Sequence, residues 1–130
     1  MSIKYKLVRR EDYLNPEGKK KGGYYPQVVR KATLDLQSLS KRAADGTTFN
    51  AMEVEVALRM AMKQIEEELL NSNHVCLDGF GTFSLSAESR RVENPDDIRA
   101  ESIAVKRVVF VPSKILMQRI KKAKFKRAQG

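Results

Sequence analysis

Only one histidine and one cysteine occur in the chain, His74 and Cys76, two positions apart in the stretch HVCL. A zinc site draws three or four ligands from Cys, His and carboxylates at recognisable spacings, and this pair cannot assemble one. A single cysteine also rules out an internal disulfide. No nucleophile has a second histidine to serve as its base. The glycine-rich run GFGTF at residues 79–83 lies between strand-like segments rather than ahead of a helix, so it is not a phosphate-cradling loop. Cys76 is therefore expected as a packed strand thiol, His74 as a solvated imidazole, and the triplet Glu66, Glu67 and Glu68 as a solvated helix face. No catalytic residue, metal, cofactor or small-molecule substrate is expected.

The chemistry that the residue types do support is ionic. Twenty-five Lys and Arg face 16 Asp and Glu, a net charge of +9, which points to a polyanionic partner. The charge is unevenly placed. Residues 1–31 hold nine basic and three acidic side chains, residues 32–83 four and eight, residues 84–111 five of each, and residues 112–130 seven and none. Both ends are basic and the middle is acidic. Clustered cations gain affinity by releasing the counterions condensed on a phosphate chain, which needs no base contacts.

These charges are carried on a chain of 130 residues, 42% hydrophobic and 32% charged, which suits one folded unit with a modest core. No apolar run approaches the length of a membrane span, since Glu55 and Arg59 interrupt the longest. The opening MSIKYKLVRR lacks the unbroken apolar stretch of a signal peptide. A cytoplasmic location is expected.

Alternation in IKYKLV (residues 3–8) predicts a strand. The stretch REDYLNPEGKKKGGYYP collects loop residues, and a second strand is expected over residues 27–33. Asp35 should cap a short helix that docks through Leu36, Leu39 and Ala43, with Gly46 as its left-handed stop. Asn50, with Glu53 three residues later, should cap a longer helix whose Val54, Leu58, Ala61, Met62, Ile65 and Leu69 share a face. Met52, Val56 and Met60 widen that stripe beyond what one small sheet covers, so a second subunit is expected against it.

After a turn at residues 71–73, HVCL and GTFSLS form a hairpin turning at Asp78 and Gly79, with Phe83 and Leu85 on one side. The polar stretch AESRRVENPDDIRAES at residues 87–102 should protrude, and residues 105–111 return as a strand. Pro112 and Ser113 open a last helix that docks Leu116, Ile120 and Ala123 and turns Arg119, Lys122 and Lys126 outward.

Two motifs in this order carry a resemblance. GFGTF at residues 79–83 and FVPSKIL at residues 110–116 resemble the hairpin signature and the sheet-ending segment of the HU and integration-host-factor family of bacterial histone-like proteins. The resemblance spans about residues 34–127. It implies an α+β, HU-like fold: two helices, an antiparallel hairpin sheet with a protruding arm, and a C-terminal helix. It implies an intertwined homodimer whose arms enter the minor groove of DNA, with a proline at each tip wedged between base steps. Asn94 and Pro95 are similar to that tip, and Lys114 takes the position of the lysine set beside DNA.

The chain departs from the pattern in three ways. Glu93, Asp96 and Asp97 flank the tip, the excursion is short, and about 33 residues precede the first helix. That last feature is similar to an extended HU-like subgroup. Two segments are thus expected, a basic and largely β extension at 1–33 and an HU-like unit at 34–130. The expected activity is sequence-nonspecific architectural binding of DNA by a dimer in the nucleoid, with RNA or protein binding as the alternative. Expected DNA contacts are Arg90, Arg91, Asn94, Pro95 and Arg99 on the excursion, Arg107 on the returning strand, Lys114, and Lys121, Lys122 and Lys124 in the tail.

Overall fold

The computed structural model describes residues 1–10 and 22–128; most of the loop expected between the first two strands lies outside them. The order is β1 (Ser2–Arg10), β2 (Gly23–Val28), α1 (Leu36–Ala44), α2 (Ala51–Leu70), β3 (Val75–Leu77), β4 (Gly81–Glu88), β5 (Ala104–Pro112), α3 (Lys114–Lys121) and β6 (Lys124–Arg127). Two short 3₁₀ turns, Pro95–Asp97 and Ala100–Ser102, lie between β4 and β5. The chain forms two compact units, one of residues 34–119 and one that joins residues 1–33 to residues 120–130.

In the larger unit the helix ends follow local chemistry. The Asp35 carboxylate accepts the Ser38 backbone N–H at 2.8 Å. That bond, with the Ser38 hydroxyl, holds its pKa below the ordinary 3.8, because both donors favour the charged form. Asn50 accepts from the Glu53 N–H at 2.8 Å and donates through Nδ2 to Glu53 Oε1 at 2.8 Å, a reciprocal cap closed through the amide side chain. Gly46 takes φ +76, the left-handed stop. At the end of α2 a non-glycine residue does the same work. Ser72 has φ 69, with Asn73 N–H on the Glu68 carbonyl and Ser72 N–H on that of Leu69, the paired bonds of a Schellman ending.

α1 docks on α2 through a different face from the one expected. Leu36 is half-buried as expected, but Ser40 and Ala44 are the buried residues, while Leu39 and Ala43 are exposed. A small residue every fourth position lets the two backbones approach. The Ser40 hydroxyl can be buried because it donates to the Leu36 carbonyl at 2.7 Å. On α2, Leu69 is buried and Val54, Leu58 and Ile65 are half-buried, but Ala61 and Met62 are exposed, as are Met52, Val56 and Met60.

β3, β4 and β5 form an antiparallel sheet in that order. Between Ser86 and Ala87 the register slips, leaving Lys106 as an extra residue on β5. Such a bulge rotates the strand, so Val105 joins Val108, Phe83 and Leu85 around a cavity of about 450 Å³ against Met62, Ile65 and Leu69 of α2. Cys76 is exposed, not packed. Alternation turns Val75 inward and sends Cys76 to the other face, where its thiol donates to Asp78 Oδ1 at 3.8 Å.

The smaller unit is a three-stranded sheet of order β2-β1-β6. β2 begins inside the segment expected as loop, since Tyr24 and Tyr25 favour strand and an edge strand tolerates Pro26. The last helix is shorter than expected. It ends at Lys121, Lys122 lies in a turn, and Lys124 and Lys126 belong to β6, which pairs parallel with β1. Backbone pairing with a waiting strand edge outweighs two further helical turns that would have exposed four cations.

Much apolar surface stays uncovered. On α2, Met52 is 75%, Val56 50% and Met60 67% exposed, a continuous stripe along one side of a helix.

Candidate nucleic-acid interface

The two sequence motifs meet in register. Gly81 lies opposite Pro112 and Phe83 opposite Phe110, and the Phe110 ring packs on Phe83 and Phe80 at centroid distances of 4.9 and 5.4 Å. The Ser113 N–H donates to the Phe80 carbonyl at 2.9 Å, which ties the start of α3 to the hairpin turn. Ser113 then caps α3, its hydroxyl accepting from the Leu116 N–H at 3.1 Å. Lys114, the next residue, is consequently held at the first helical position with its side chain exposed. Its place is set by the aromatic cluster and the cap.

The paired strands end at Glu88 and Ala104, and residues 89–103 form the excursion. It is not a ribbon to its tip. Asn94 Oδ1 accepts the Asp96 N–H at 3.1 Å and caps the turn that Pro95 opens. The fixed φ of proline suits that first position. Arg90 and Arg99 line one concavity of about 530 Å³ with Asp96 and Asp97, so cations and carboxylates share the same small surface. Arg91 is exposed beside it.

Arg107 pairs across from Ser86, on the sheet face opposite Phe83 and Leu85. Lys121 ends α3, Lys122 is in the following turn and Lys124 opens β6. All ten expected contacts are exposed. Seven fall in the larger unit, and Lys121, Lys122 and Lys124 fall in the smaller one. Among the described residues the one ion pair, Arg59 with Glu55 at 3.7 Å, involves none of them.

The sequence reading left out the basic residues that the sheet gathers around Lys124. Pairing sets Ser2 against Lys124 and Lys4 against Lys126, and alternation along β1 puts Lys6 and Arg10 on that same face. The charge tally signalled two basic ends, but no local pattern marks a parallel pairing between the first and last strands of a chain.

Comparison with known proteins bears on both units. A crystal structure from Bacteroides vulgatus ATCC 8482, named as a candidate bacterial DNA-binding protein, is similar at a TM-score of 0.65 and 16% identity. The match covers 97% of this chain and 48% of that one, so the chain spans about half the length of that relative. An Anabaena HU protein crystallised with DNA shares 20% identity over 67% of this chain and 97% of its own, with a TM-score of 0.46. No curated protein matches the sequence. The family described as an HU domain fused to wHTH, Ig, or glycine-rich motif matches residues 1–127, across both basic ends and both motifs, and the chain belongs to that family.

Proposed function

We propose that this protein binds duplex DNA without reading its sequence, as an architectural, nucleoid-associated dimer. Membership of an HU-domain family supports DNA as the partner. The observation that carries the reading is the state of the cations: the eight Lys and Arg among the candidate contacts are all exposed, and among the described residues none is in an ion pair. Such side chains can neutralise phosphates without first breaking internal bonds.

A dimer is the second part of the reading. The stripe of Met52, Val56 and Met60 lines an open apolar groove on α2, and apolar patches of this extent on a small chain mark an interaction surface. Bending through Pro95 is the part that the residues favour least. Asp96 and Asp97 stand in the same concavity as Arg90 and Arg99, and carboxylates near phosphates reduce affinity. Lys114 and the basic tail would then hold the duplex more than the tip does.

The test is a titration of unrelated duplexes at several salt concentrations. Affinity should fall steeply with salt and differ little between sequences. One strong preference recovered from a randomised pool, or tighter binding to RNA than to duplex DNA of equal length, overturns the proposal.

A further inference from the structure

The sheet of the smaller unit has one face of a kind that its own fold does not need. Along β1, residues Ser2, Lys4, Lys6, Val8 and Arg10 share a side. Register adds Lys124 and Lys126 from β6 and Tyr25 and Gln27 from β2 to that side. Five cations thus share the face: Lys4 and Lys6, like Lys124 and Lys126, stand about 6.8 Å apart along a strand, Lys4 and Lys126 about 4.8 Å across, and Arg10 about 13.6 Å beyond Lys6. None of the three strands contains a carboxylate.

Lys4 and Lys126 are direct cross-strand partners, an arrangement that destabilises a sheet when both charges are alike. Arg10 sits 6.0 Å from the centre of the Tyr25 ring, at the edge of cation–π range, which holds it on this face. The apolar side chains go the other way: Ile3, Tyr5 and Leu7 share the opposite face with Phe125, Pro26 and Val28, and Tyr5 and Phe125 are in edge contact at 6.4 Å. A membrane-binding surface would put apolar and basic groups on one side, so that the first insert while the second meet the headgroups. The five-cation face offers only Val8 and Tyr25 for insertion, while the apolar side chains lie on the other face with Arg9 and Arg127.

We infer that the basic face of the β2-β1-β6 sheet, with Lys4, Lys6, Arg10, Lys124 and Lys126, is a second binding surface for the phosphate backbone of DNA, distinct from the hairpin excursion and Lys114. The inference rests on the DNA-binding reading above. A run of phosphates supplies the counter-charge that the sheet lacks and removes the repulsion between Lys4 and Lys126. The face presents an array of charge with one aromatic ring, so it grips the backbone and does not discriminate bases.

A matched pair of double variants tests this in the full chain. Lys6→Gln with Lys126→Gln removes two charges from the basic face, and Arg9→Gln with Arg127→Gln removes two from the opposite face of the same strands. The first should reduce the log-log salt slope by about 1.8 per bound subunit, so that the affinity lost between 50 and 200 mM salt becomes roughly tenfold smaller. The second should leave the slope within error. Equal effects from both variants, or no effect from either while the parent still binds, overturns the inference and leaves the DNA-binding reading standing. A parent that does not bind duplex DNA overturns both. If the variants misfold, lysine acetylation of the unaltered protein decides: Lys4, Lys6, Lys124 and Lys126 should be protected by duplex DNA, while Lys41 and Lys63 are not. Protection of the four by anionic vesicles but not by DNA assigns the face to a membrane and overturns the inference.

Discussion

The ring of Phe110 occupies the space that a side chain on Gly81 would need. A Cβ built there would lie 2.5 Å from Phe110 Cε2 and 2.7 Å from the Val111 carbonyl oxygen, below any real contact. The neighbouring glycine of the same motif is required for another reason: Gly79 has φ +77 and a nearly empty surrounding. Gly81→Ala should destabilise the protein by about 1–3 kcal/mol through forced movement of strand and ring, and Gly79→Ala by about 1 kcal/mol through backbone strain. Urea unfolding of both variants checks the order.

The stripe on α2 separates a dimer from a monomer. Val56 is half-exposed in the single chain, so Val56→Lys would cost a monomer little. In a dimer that buries the stripe, an unpaired charge there should drive dissociation. Sedimentation should give a parent dimer at micromolar concentration and a Val56→Lys monomer, and the parent's melting temperature should rise with concentration. A parent whose melting is independent of dilution contradicts this.

Asp35 gives stability a defined pH dependence. Its folded pKa lies below the ordinary 3.8, chiefly through the Ser38 N–H and then the Ser38 hydroxyl. A depressed carboxylate contributes stability that is fully present above the unfolded value and is lost as pH falls through the folded one. Asp35→Asn keeps a capping oxygen without the charge. The stability difference between parent and variant should therefore shrink on acidification below about pH 4, as read from thermal melts across pH 2–6.

Pro95 and Lys114 distinguish the two ways of holding DNA. Pro95 opens a capped turn flanked by Asp96 and Asp97, whereas Lys114 is anchored beside the Phe80, Phe83 and Phe110 cluster. Unstacking a base step costs on the order of a few kcal/mol, which contacts along a bent duplex must repay. Pro95→Ala should leave affinity and bending nearly unchanged, and Lys114→Ala should weaken binding several-fold. Fluorescence transfer across a short duplex measures the bend. A loss of bending confined to Pro95→Ala means that the tip is the wedge.

Local features were legible because local residues decide them. Asp35, Asn50 and Ser113 cap their helices through side-chain oxygens three residues from the N–H groups they accept, and Gly46 and Gly79 stand where φ must be positive. The side shared by Phe83 and Leu85 followed from strand alternation alone. The docking face of α1 was misread because an apolar count skips Ser40, whose hydroxyl is satisfied within its own helix and so can be buried.

The same limit explains the C-terminal segment. Leu116, Ile120 and Ala123 have helical spacing, yet residues 124–127 form a strand, because the edge of β1 offers four backbone partners that lie more than a hundred positions away. Hydrophobic period reports which face a segment could bury, not which distant edge competes for its hydrogen bonds. The amino-acid order therefore determined the net charge, its concentration at both ends, the helix caps and the two motifs. Only the tertiary structure decided that the two basic ends share one sheet, that Lys4 faces Lys126, and that the arginines and carboxylates of the excursion share one concavity. Those juxtapositions depend on contacts between residues far apart in the chain, which no local propensity encodes.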